Sequence, residues 1–151
     1  MITTTVLPPT SYAYFSPGPD CLGCIVEHFR AAQRTVDVCV FTITDDRIAG
    51  TMLETHRRGV RVRIVTDNDK SGDLGSDIER LEAAGIATKI DRTPYHMHHK
   101  FAIFDGTRLV NGSYNWTRGA AEQNAENLID TGDVGLLAAF QRQFDTLWAR
   151  L

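Results

Sequence analysis

Apolar positions fall into two rhythms along this chain, and the change from one to the other marks out its elements. Tyr12 to Ser16 alternates as a short strand, and Gly18-Pro19-Asp20 supplies turn and helix-start chemistry for a helix over about 20–33. In that helix Leu22, Ile25, Val26 and Phe29 share one face. The β-branched run 35–43 reads as a central strand. A helix over about 46–58 carries Ile48, Met52 and Leu53 and ends at Gly59. Residues 60–66 then alternate Val60, Val62 and Ile64 with Arg61 and Arg63, as a strand does. After a polar loop at 67–75, a helix over about 76–84 leads through Gly85 to a strand near 86–90. Strands alternating with helices predict an α/β sandwich with parallel strands at its centre.

The second half changes character. Runs 101–105 and 109–111 flank Gly106 as a hairpin, a loop with a short helix occupies 115–123, and a strand is predicted near 126–129. Leu136, Leu137, Phe140, Phe144 and Leu147 give the end of the chain the spacing of an amphipathic closing helix. No internal repeat or linker interrupts the pattern, and 151 residues suit one domain spanning 1–151.

Composition adds constraints rather than chemistry. Apolar and charged fractions of 42% and 23% are those of an ordinary globular chain, and a formal charge of −3 offers no global attraction to a polyanion. Phosphate recognition would have to come from a local basic cluster. The first residues lack a basic n-region and an apolar h-region, and no apolar run reaches transmembrane length, so the expected location is cytoplasmic, without a stable membrane anchor, unless a targeting segment has been removed. Cys21, Cys24 and Cys39 are too few for a disulfide scaffold, and Cys39 reads as core. The spacing Cys21-x2-Cys24-x3-His28 stops at three ligands, one short of a structural zinc site, so ordinary helix residues are expected, with no metal and no cofactor.

The chemistry concentrates between residues 98 and 126. His98-His99-Lys100-Phe101-Ala102-Ile103-Phe104-Asp105 contains H-x-K-x4-D, and Gly112-Ser113-Tyr114-Asn115 follows. Strand alternation puts His98 and Lys100 on one face, and the same spacing relates Ser113 to Asn115, so two segments can present four polar groups to one spot. A neutral imidazole can attack phosphorus while an ammonium, an amide and a hydroxyl stabilise the oxygens. Asp105 has the opposite parity and is expected to cap the turn at Gly106 or pair with a basic group beneath the site. His99 points away from His98 and reads as a packed or surface histidine, whereas His96 shares the face of His98 and is a candidate substrate contact.

H-x-K-x4-D followed by G-S-x-N resembles the signature of the phospholipase D superfamily. Phe15-Ser16-Pro17, Gly59-Val60-Arg61-Val62-Arg63, Thr66-Asp67, Gly75-Ser76-Asp77, Met97 to Ile103 and Asn115-Trp116-Thr117 extend the similarity to its single-motif branch. That branch includes bacterial Nuc-type endonucleases and mitochondrial Zucchini or cardiolipin-hydrolase proteins. The resemblance implies a phospholipase D-like sandwich with a mixed, largely parallel central sheet flanked by helices. It further implies His98 as nucleophile, Lys100, Ser113 and Asn115 as phosphate ligands, Glu126 as the carboxylate orienting the histidine, and Asp105 and Gly112 as structural members of the motif.

One motif supplies one catalytic histidine, and cleavage through a phosphohistidine also needs an acid for the leaving oxygen. A homodimer joining two copies meets that need and matches the single-motif branch. Lys70, Arg92 and Arg118 flank the site and could track a polyanionic backbone, with Tyr95, Tyr114 and Trp116 available to stack bases or to pack loops. The leading expectation is a metal-independent endonuclease favouring single-stranded nucleic acid. The alternatives are a phospholipase D-type hydrolase of cardiolipin or another phospholipid, and a catalytically silent nucleic-acid-binding dimer.

Overall fold

The structure, a computed structural model, describes residues 10–68 and 76–151. Within the described residues seven strands form one sheet: β1 Ser11–Ser16, β2 Thr35–Val40, β3 Arg61–Asp67, β4 Ala87–Asp91, β5 Lys100–Phe104, β6 Arg108–Gly112 and β7 Glu126–Thr131. Their order across the sheet is β1-β7-β6-β5-β2-β3-β4. β2, β3 and β4 pair parallel, whereas β5, β6, β7 and β1 join them through antiparallel pairings. The mixed sheet matches the expectation, with a qualification on its parallel character. β5 and β7 run against the other five strands, so like-directed strands predominate while antiparallel pairings outnumber parallel ones.

Among the described residues five helices flank the sheet: α1 Asp20–Ala31, α2 Asp46–Arg57, α3 Ile78–Ala83, α4 Arg118–Glu122 and α5 Val134–Arg150. Local chemistry sets several boundaries. Asp45 caps α2 by accepting from the Arg47 amide, Thr117 caps α4 through the Ala120 amide, and Asp133 caps α5 through the Leu136 amide. α5 begins earlier than its apolar spacing indicates because that cap, outside the periodic run, starts the helix at Val134, and the helix continues past Leu147 to Arg150.

Alternation along the strands divides the core in two. Val36, Val38, Ile64, Ala102, Phe104, Val110 and Leu128 join a cluster with Ile25, Phe29, Ile48 and Met52 from α1 and α2. Cys39, Val65, Phe101, Ile103 and Leu109 face the other way and pack with Leu137, Phe144 and Leu147 of α5. Cys39 is buried as expected, at 0% exposure.

A charged network joins α5 to its face of the sheet. The Arg63 guanidinium donates to both Asp37 oxygens at 2.8 Å, and Gln141 of α5 donates to Asp37 Oδ2 at 2.9 Å. Arg63 also lies over the Phe144 and Trp148 rings, 4.8 and 5.1 Å from their centroids. Strand alternation put Arg63 on a different face from Val62 and Ile64; α5 then covers that face and makes the cation part of the packing. Arg63→Ala should destabilise the domain by about 3 kcal/mol, because it strands a buried carboxylate. Urea denaturation measures this, and a loss below about 1 kcal/mol would show that Asp37 does not depend on Arg63.

Candidate functional site

The carboxyl ends of the five like-directed strands lie at one end of the sheet, where open α/β sheets generally receive ligands. There the start of β5, the end of β6 and the start of β7 meet. His98, His99, Lys100, Asn111, Gly112, Ser113, Asn115 and Glu126 line an open depression of about 470 Å³. The two sequence segments read as chemically complementary are therefore neighbours, with Glu126 beside them.

Lys100 is the first residue of β5 and only 8% exposed. Its ammonium donates to the His98 carbonyl at 2.8 Å, lies 3.0 Å from His98 Nδ1, and stands 5.8 Å from the Phe41 ring centroid. Burial lowers the Lys100 pKa from its ordinary value. The His98 ring is tilted against Phe41 at 4.8 Å. Its pKa is also lowered, first by burial and then by the positive charges of Lys100 and His96, so the neutral imidazole is favoured.

Ser113 Oγ donates to Glu126 Oε2 and accepts from the Asn127 amide, the latter at 3.0 Å. Asn124 donates to the other Glu126 oxygen at 3.4 Å. Within one chain Glu126 therefore holds Ser113, and the expected carboxylate contact to His98 is replaced by the Lys100 contact. Asn115 lines the depression with a buried side-chain oxygen that has no hydrogen-bond partner among the described residues. The β6–β7 approach explains Gly112: a Cβ there would lie 2.2 Å from the Asn127 carbonyl oxygen.

Asp105 sits at the far end of β5, in a left-handed conformation with φ of 52°. Its carboxylate accepts from the amides of Gln33, Arg34 and Thr35 at 3.0, 2.7 and 3.0 Å. It thus anchors the α1–β2 junction, a structural role with partners other than the Gly106 turn or a cation under the site.

The other candidates separate. Trp116, expected as a substrate contact, is fully buried and meets Phe29 edge-on at 5.9 Å; Tyr114 is buried as well. The core between the sheet and α1 and α2 takes both rings. Arg118 lies 3.6 Å from Glu122, and neither it nor the exposed Arg92 lines the depression. Lys70 lies outside the described residues. His99 bonds to Gln143 of α5 at 3.3 Å, on the face opposite Lys100, as its parity predicts.

His96 is 6.3 Å from the His98 ring and 3.6 Å from Asp67 Oδ1. Asp67 is fully buried and also accepts from the Met97 amide at 2.6 Å. His96, His98, His99, Met97, Asp91 and Arg150 border an adjoining depression of about 340 Å³, so the His98–His99 segment borders both. Sequence reading missed Asp67 and Phe41 as neighbours of the site. Thr66-Asp67 stood among the residues carrying the family resemblance, but its position at a strand end depends on β3 extending one residue into the assigned loop.

This arrangement defines a class first through its fold. Nuc from Salmonella typhimurium, a phospholipase D family member, superposes with a TM-score of 0.85 at 23% identity, covering 93% of this chain and 95% of that one. NucT from Helicobacter pylori gives 0.83 at 22% identity, over 93% and 96% of the two chains.

The family model described as "Cardiolipin synthase, PLD-like domain" matches residues 25–148, and the chain belongs to that phospholipase D-like family. A mitochondrial cardiolipin hydrolase of Chlamydomonas reinhardtii is 52% identical over 134 residues, 89% of this chain and 60% of that protein. Its namesake in Homo sapiens is 38% identical over 131 residues, 87% and 52% of the respective chains. The chain thus spans a little over half the length of these relatives. Their names overturn the cytoplasmic expectation, since both are mitochondrial proteins. That expectation rested on the composition of the first residues alone, and an address can reside in sequence outside the shared domain.

Two substitutions test the geometry. Gly112→Ala should separate β6 from β7 and weaken amide-exchange protection at Tyr114, whose N–H donates to the Asn127 carbonyl at 3.2 Å. Unchanged protection would show that the strands absorb the methyl group. Trp116→Ala should cost about 3–5 kcal/mol in urea unfolding, as expected for removing a buried indole; a loss of substrate affinity at unchanged stability would restore Trp116 as a surface contact.

Proposed function

We propose that this chain is a metal-independent phosphodiesterase whose substrate is a phospholipid of the cardiolipin type. The observation that carries this reading is the single depression joining His98, Lys100, Ser113, Asn115 and Glu126. It combines a neutral nucleophile, a cation and polar groups in a space suited to one phosphodiester.

Lys100 governs the starting state. While its ammonium donates to Nδ1, a neutral His98 ring carries its proton on Nε2. Attack through Nε2 requires that proton to move to Nδ1. A phosphate oxygen drawing Lys100 toward itself frees Nδ1 to accept it, coupling substrate entry to nucleophile activation. His98 Nε2 then bonds to phosphorus as the bond to the leaving alcohol breaks. In the proposed homodimer, the His98 ring of the second copy gives the leaving oxygen its proton; water later attacks the phosphohistidine and returns a proton to that ring.

Support for lipid over nucleic acid comes from two sources. The relatives sharing 52% and 38% identity are named cardiolipin hydrolases, while the Nuc proteins share the fold at 23% and 22%. The expected stacking path also loses Tyr114 and Trp116 to the core. Tyr95 remains 81% exposed, so a nucleic-acid strand is retained as the competing substrate in the test.

Purified chain in excess EDTA should hydrolyse cardiolipin vesicles faster than labelled single-stranded DNA, duplex DNA or RNA. Cleavage of nucleic acid with cardiolipin untouched would reverse the substrate assignment. Loss of all hydrolysis on chelation, restored by a divalent ion, would remove the mechanism. His98→Asn should reduce turnover by about 1,000-fold or more while retaining binding. Mixing excess His98→Ala subunits should lower wild-type activity beyond dilution, whereas full activity in a demonstrated monomer would exclude the shared site.

The pH profile follows from the sign of the His98 shift. A lowered pKa keeps the attacking ring neutral to below its ordinary 6.5, so the acid limb of kcat/KM should fall below pH 6.5. His96→Gln removes one positive neighbour and should move that limb upward. An acid limb at or above 6.5 in the wild type would contradict the assignment.

A further inference from the structure

Away from this depression, α1 and β7 bring a second group of side chains together. Cys24 and His28 stand about one turn apart on α1, Asp130 faces them from β7, and one potential ligand atom from each lies within 4.8 Å of the other two. His28 Nε2 is 2.8 Å from Asp130 Oδ2, and Cys24 Sγ is 3.9 Å from the same oxygen. Arg108 occupies the other carboxylate oxygen, donating from Nε at 2.9 Å and Nη2 at 2.6 Å. The guanidinium therefore fixes the carboxylate and leaves Oδ2 toward the helix, as an outer partner orients a metal ligand. His28 is held in turn by stacking on Phe104, with centroids 5.1 Å apart. The group borders a surface depression of about 390 Å³, also lined by Tyr14 and Glu27.

We infer that Cys24, His28 and Asp130 form a binding site for a borderline-soft divalent transition ion such as Zn²⁺, with a fourth position open to the depression. Sulfur, imidazole nitrogen and carboxylate oxygen are a ligand set that suits such an ion, and three protein ligands with one open position are an established zinc arrangement. The sequence pattern offered Cys21 as the third ligand, but Cys21 is buried with no exposure and Asp130 takes that place. On binding, the His28–Asp130 hydrogen bond gives way to two metal bonds, the donor atoms separating by roughly 0.5–1 Å to admit the ion. The Cys24 thiol loses its proton to solvent as its sulfur coordinates.

Asp130 is four residues beyond Glu126 in β7, or about 13 Å along the strand, so the ion would not reach the phosphate depression. Hydrolysis in EDTA and metal binding here are accordingly independent measurements.

The test is to titrate chelator-treated full chain with Co²⁺, following thiolate-to-metal absorption and visible d–d bands, with Zn²⁺ as competitor. One equivalent should bind, Zn²⁺ should displace it, and Cys24→Ser should abolish the thiolate band. His28→Gln is a second variant and should weaken binding at least tenfold with its circular dichroism unchanged. Cys21 and Cys39 are both fully buried, so a thiolate band persisting in folded Cys24→Ser would overturn the site. Absence of the band from wild-type protein would overturn it without recourse to any variant.

Discussion

The close approach of β6 and β7 at Gly112 is the constraint on which the candidate site depends. The Asn127 carbonyl occupies the space that a side chain would need, so β6 can enter the site beside β7 only with hydrogen at that position. Ser113 then follows directly, with its hydroxyl between Glu126 and the Asn127 amide. Two residues later Asn115 faces the same depression. The antiparallel register of β5 and β6 brings Lys100 alongside, because Phe101 pairs with Asn111. Backbone pairing thus converts positions separated along the chain into one polar surface.

Electrostatics gives that surface a poised state. Lys100 is buried enough for its charge to be disfavoured, yet it bonds to both the His98 carbonyl and ring. Burial first and the Lys100 charge second lower the His98 proton affinity, and the Lys100 contact also occupies the nitrogen that a carboxylate was expected to hold. Glu126 is committed to Ser113, so its influence within one chain passes through the hydroxyl rather than the imidazole. Substrate entry has to redistribute these bonds before the proposed chemistry can begin.

Strand parity made much of this arrangement legible. The alternating positions of His98, Lys100, Ser113 and Asn115 and the outward turn of His99 require only a local period of two. The two cores follow from the same rule. The partners of Asp105, Glu126 and Asp130 do not, because they depend on which strands become neighbours after distant segments fold together. Trp116 shows a different limit: the sequence left both base stacking and loop packing open to it, while the space between α1 and the sheet buries its ring against Phe29. Location was misread for a separate reason, since an address need not lie in the shared domain at all.

The carboxylates divide the work of the sheet by where each meets the backbone. Asp105 uses successive amides to secure the entry of β2, and Asp37 uses Arg63 and Gln141 to secure α5. These contacts stand away from the depression, so the strand ends that form it can carry exposed histidines and an amide oxygen without a partner among the described residues, without also closing the fold. Asp130 combines the two kinds of role: Arg108 fixes one oxygen, while the other meets side chains from α1. A polar group rigidly held on one side and incompletely surrounded on the other can recognise a ligand because its orientation has been set by the fold rather than by the ligand.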